Sequence, residues 1–143
     1  MGLLMDYIKC QSILNCGSCF LIIVLLGVWS GSSVKIQGVP FALVNWNEIA
    51  SSEHPGKSGK ATWRAFEEGN VRVRMVDYTP GFILDHWCGR GHVLLVLQGE
   101  LVIELMDGRK FTLHSGSSFQ VEDDETNPHC LRTEVGASVF IVD

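Results

Sequence analysis

Residues 71–76 read Val-Arg-Val-Arg-Met-Val, an alternation with a period of two. In an extended chain successive side chains point to opposite faces. Val71, Val73 and Met75 therefore share one face, and Arg72 and Arg74 share the other. Residues 100–106 repeat the pattern, with Leu101, Ile103 and Leu105 opposed to Glu100, Val102 and Glu104. The Asp107-Gly108 pair then predicts a hairpin into a strand over 109–113. The apolar run 93–97, closed by Gly99, predicts a strand before the one at 100. Residues 119–121 and 138–142 supply the last strands. Residues 41–49 predict a strand and a turn packed on the rest, and 51–60 a surface loop by composition. Short strands at regular spacing, separated by glycine turns, mean an all-β sandwich or barrel.

Which face of the 71–76 strand lies inside is a matter of weight. The fuller apolar set of Val71, Val73 and Met75 favours the inside for that face, which puts Arg72 and Arg74 outside, paired across the sheet with Glu100 and Glu104. With the faces reversed, an arginine- and glutamate-lined interior would favour a polar or anionic ligand.

The chain has 143 residues, of which 46% are hydrophobic and 19% charged, so it is long enough for one substantial core and is not a disordered sequence. A net charge of −5 and the absence of a Lys/Arg cluster exclude nucleic acid as the expected partner. A small anionic substrate would require locally placed arginines, for which Arg64, Arg72, Arg74 and Arg90 are available.

The first 33 residues differ from the rest. Residues 11–34 carry no charge, and 20–29 read Phe-Leu-Ile-Ile-Val-Leu-Leu-Gly-Val-Trp. That length suits the apolar core of a signal peptide, and Ser30 to Ser33 supply small residues for cleavage. Asp6 and Lys9 cancel, so the usual positive start is missing. Counted from Ile13, the stretch approaches a membrane span, and contact with a membrane through residues 13–29 is the second expectation. The third is that the protein starts near Val34, which makes 1–33 an artefact and the protein cytoplasmic; otherwise it is exported or anchored. Cys10, Cys16 and Cys19 lie in this segment. The Cys16-x-x-Cys19 spacing lacks the strand-helix context of a redox motif and reads as chance.

Candidate chemistry is concentrated in residues 81–99, Gly-Phe-Ile-Leu-Asp-His-Trp-Cys-Gly-Arg-Gly-His-Val-Leu-Leu-Val-Leu-Gln-Gly. His86, Cys88 and His92 fall within seven residues. On an extended strand His86 and Cys88 point the same way, with Asp85 and Trp87 turned away, Trp87 into the core. Gly89 and Gly91 around Arg90 permit a tight turn that returns His92 towards the pair. Such a grouping is a metal grip.

These residues resemble the first cupin motif. His86 takes the place of its first histidine, Cys88 of its second and His92 of its glutamate, and the closing glycine, Gly99, is in register. The wording Asp85-His86-Trp87-Cys88 is similar to that of a small bacterial subgroup, the DHCW-motif cupins. The resemblance extends over 34–143 and implies a double-stranded β-helix, the cupin or jelly-roll barrel, preceded by the hydrophobic N-terminal segment 1–33. Its second motif matches loosely from Gly116 to Pro128-His129, with Glu122 and Asp124 where the motif has proline and glycine. On that basis His129 is the last ligand. Cys130, one residue on, faces the other way and packs, and His114 is a surface histidine.

The resemblance thus implies a divalent transition metal, Zn, Fe, Ni or Cu, held by His86, Cys88, His92 and His129. Four ligands make a closed, structural zinc site. Three histidines leave an open position for water, substrate or dioxygen. The implied functions are a metal-binding cupin that acts on or binds a small polar molecule, of dioxygenase or isomerase type, and a non-catalytic binding or sensor module with a structural metal. A homodimer is the further partner expected, and no catalytic residue beyond the ligands is assigned.

Overall fold

A computed structural model describes residues 34–123 and 126–143; the expectations for residues 1–33 lie outside them. The described residues form nine strands, β1 (Ser51–Pro55), β2 (Lys60–Glu68), β3 (Val71–Tyr78), β4 (Phe82–Ile83), β5 (His92–Leu105), β6 (Lys110–His114), β7 (Ser118–Val121), β8 (His129–Thr133) and β9 (Ala137–Val142). They pair antiparallel in the order β1-β2-β3-β9-β5-β8-β4, with β6 and β7 also on β5. There is no helix among the described residues, so none there is long and apolar enough to cross a membrane.

The organising element is β5. Its first half pairs with β7 and β9 and its second with β6 and β8, so one strand belongs to both walls of the curled sheet. The strands expected at 93–97 and from 100 are this single element, with a register shift between Val96 and Gln98. The bulge switches the inward parity. Before it Leu94 and Val96 are buried, and after it Leu101 and Ile103 are. Gly99 makes the switch with φ of +81°, where a Cβ would collide with the Gly136 carbonyl. Val76, Val139 and Ile141 pack against the same core from β3 and β9.

The structure reverses the expected faces of β3. Arg74, Val76 and Tyr78 are buried, whereas Val73 and Met75 are only half-buried. The deciding partner is Asp143, just past β9. Its carboxylate accepts from Arg72 Nε and from Arg74 Nη2, the latter at 2.7 Å. The Arg74 guanidinium also lies 4.5 Å above the Trp63 ring. Glu100 and Glu104 consequently face His114 and Lys110 and not the arginines.

Two further expectations are corrected. Residues 51–55 are the edge strand β1, paired along its length with β2, because backbone hydrogen bonding to a neighbour does not require apolar side chains. Its His54 stacks on Trp63 with ring centroids 3.9 Å apart. Conversely, residues 41–49 form no strand. Asn45 organises a turn there through its side chain and its carbonyl, which accepts from Glu48 N at 3.0 Å. Phe41 and Leu43 are exposed, whereas Trp46 meets Phe140 edge-on at 6.2 Å and Val44 and Ile49 are half-buried.

Candidate metal centre

Three of the four expected ligands come together. His92 opens β5 and His129 opens β8, and both point inward at the end of the barrel. Cys88 is tied to His129 by an isolated bridge, with Cys88 N donating to His129 O at 2.8 Å and His129 N to Cys88 O at 2.9 Å. The donor atoms of Cys88, His92 and His129 all lie within 4.8 Å of one another. The two Nε2 atoms of His92 and His129 face each other at 3.1 Å. Phe119 on β7 closes the apolar side, its ring 5.4 Å from His92 and 5.5 Å from His129.

Local chain geometry explains the spacing. Gly91 is glycine because of a close approach and not because of a left-handed turn. A Cβ there would lie 2.5 Å from Asp123 N, and Gly91 N donates to Asp123 Oδ1 at 2.7 Å. This seats the chain one residue before His92.

The electrostatics favour ligation. Burial, followed by the charge of His129, pushes His92 down to about 4, and burial also lowers His129. Both rings are therefore neutral at pH 7, the form that binds metals. His129 Nδ1 stands 3.3 Å from the Asn127 carbonyl, which favours the proton on Nδ1 and leaves the Nε2 lone pair towards His92. One thiol and two neutral imidazoles are a donor set for Zn, Fe, Ni or Cu.

His86 stands apart from this cluster. Residues 85–86 form a bend, so the strand alternation that aligned His86 with Cys88 does not operate there. The His86 side chain is 64% exposed and its Nδ1 contacts Asp85 Oδ1 at 2.6 Å. That hydrogen bond holds the Asp85 carboxyl below its ordinary range. Trp87, expected in the core, is exposed for the same reason. Cys130 points away from the cluster, its Sγ 3.6 Å from the Leu84 carbonyl, and burial raises its thiol.

Cys88, His92 and His129 open onto a cavity of about 270 Å³, which His86 also lines. The cavity is also lined by Trp63, Arg72, Arg74 and Asp143. The role of Trp63 and Asp143 was not readable beforehand. Neither belongs to a motif, and their meeting with Arg74 depends on the pairing of β2, β3 and β9.

No family model and no curated protein matches the chain. Solved structures do. A predicted oxalate decarboxylase from Thermotoga maritima shares 14% identity over 71% of this chain and 96% of its own, with a TM-score of 0.60. A sugar phosphate isomerase from a cupin superfamily, from Silicibacter pomeroyi, shares 18% over 71% and 74%, at 0.56. Fe(II)-HppE with the alternative substrate (S)-1-HPP shares 14% over 72% and 60%, at 0.60. At these identities the likeness concerns the fold. With two walls joined through β5 and such neighbours, the described residues have the cupin fold.

Proposed function

We propose that this protein is a metal-binding cupin that takes a small polar molecule beside a divalent transition metal held by Cys88, His92 and His129. The observation that carries the reading is the convergence of these three donors, two of them neutral imidazoles, on the wall of a cavity. The wording Asp85-His86-Trp87-Cys88 supports membership of the DHCW-motif subgroup. Fe(II) in one structural neighbour supports a transition metal, and an isomerase and a predicted decarboxylase among the others support small-molecule chemistry.

A bound metal with an open position would supply Lewis acidity to an oxygen of the ligand or of water. The chain's own residues do the rest. Phe119 shields the two imidazoles from water, and the Asn127 carbonyl steadies the tautomer of His129. Arg72 and Arg74, which line the same cavity, present positive charge to the ligand. These features suit dioxygenase- or isomerase-type chemistry. The second reading, a binding module with a closed four-ligand site, draws on His86, which lines the same cavity.

Elemental analysis of the purified full chain tests both. The expected result is one equivalent of transition metal, lost in Cys88→Ala and kept in His86→Ala and Cys130→Ala. Loss in His86→Ala as well would favour the closed site. A wild-type protein that carries no metal, and gains no thermal stability from added Zn, Fe, Ni or Cu, would refute the metal reading.

A further inference from the structure

The cavity is cationic in a chain that is acidic as a whole. Three arginines line it, Arg72, Arg74 and Arg90, against the single carboxylate of Asp143. Asp143 is already committed, since it accepts from both Arg72 and Arg74. Arg90 has no hydrogen bond or ion pair among the described residues. It is exposed on the Gly89-Arg90-Gly91 segment, between Cys88 and His92, and lines both this cavity and the adjoining cleft that Arg72 and Asp143 share. The wall is also rich in donors and poor in acceptors, because Arg74 Nε and Trp63 Nε1 are buried with no acceptor.

Arg72 and Arg74 share one carboxylate and Arg90 adds a third cation at the rim, so the cavity carries a net positive charge that a bound anion would balance. A guanidinium pairs with a carboxylate through two parallel N–H bonds, and Arg90, with no partner among the described residues, can do so here. The volume, about 270 Å³, suits a small molecule. Resting on the metal-site reading above, we infer that the small molecule is a short-chain organic carboxylate, with Arg90 and Arg72 holding its carboxylate and the rest of the molecule directed towards Cys88, His92 and His129. Arg74, locked between Asp143 and Trp63, positions Asp143 and adds charge without needing to touch the ligand.

The test is calorimetric titration of the full chain with acetate, pyruvate, malonate and succinate, and with the neutral amide malonamide. Metal content is measured on every sample. The expected result is binding of at least one carboxylate, weakened by added salt, with malonamide inert. Arg90→Gln should weaken that binding at least tenfold and leave metal content unchanged. Arg109→Gln, in an exposed hairpin where Arg109 pairs with Asp107, should change neither. If none of the carboxylates binds the metal-loaded protein, if malonamide binds as well as malonate, or if Arg90→Gln binds like wild type, the inference falls and the metal reading stands. Carboxylate binding through Arg90 in a protein that holds no metal would do the reverse.

Discussion

Replacing Arg74 with methionine separates the observed arrangement of β3 from the one its alternation suggests. Were Arg74 outside, the substitution would change stability by no more than about 0.5 kcal/mol. In the structure its side chain is 10% exposed, donates to Asp143 at 2.7 Å and lies 4.5 Å above Trp63. Losing a charge-assisted hydrogen bond costs about 1.5–3 kcal/mol, and losing a partly desolvated cation–π contact about 0.5–2 kcal/mol. Asp143 keeps Arg72, so the full penalty of an orphaned buried carboxylate, about 3–5 kcal/mol, is not reached. Methionine retains much of the aliphatic packing. The expected loss is about 3 kcal/mol, or roughly 10 °C in Tm for a domain of this size. Urea unfolding of the full chain measures it, with Arg109→Met, at an exposed hairpin position, as the reference. Equal midpoints for the two variants would refute the inward face.

Glycine substitutions and pH offer two independent checks. Gly99→Ala meets the Gly136 carbonyl as well as an unfavourable φ of +81°, whereas Gly116, at +86°, has open space around it. Gly116→Ala should cost about 1–2 kcal/mol and Gly99→Ala clearly more, and equal losses in thermal unfolding would contradict the tight crossing at the bulge. In the presence of a chelator, stability should be constant above about pH 6.5, the ordinary value for histidine. It should fall as the pH drops from there towards 4, because the unfolded chain takes up protons that folded His92 and His129 refuse. For His92, lowered to about 4 on a half-buried ring, the loss is about 2 kcal/mol after allowance for solvent screening. Urea midpoints that stay flat between pH 7 and 4.5 would count against neutral, desolvated imidazoles.

What the chain could say unaided is mostly periodic. Alternation over 71–76 and 100–106, the Asp107-Gly108 turn and the closing glycines locate strands, because strand geometry is local. The cupin resemblance of 81–99 and of Pro128-His129 likewise pointed to the fold and to its candidate ligands, since motif residues keep their register. Alternation, however, is symmetric between faces. Which face of β3 turns inward was decided by Asp143, about 70 residues away in sequence and brought beside Arg72 and Arg74 by the β3–β9 ladder. Edge strand β1 was hidden because a ladder partner, not composition, made it a strand. The standing of His86 turned on a bend at 85–86 that no spacing rule encodes, whereas Cys88 reached His129 through a single bridge between distant segments. Local pattern specifies elements; the choice of face, the cavity wall and the convergence of donors arise only from long-range pairing, where a charge or a ring finds its partner.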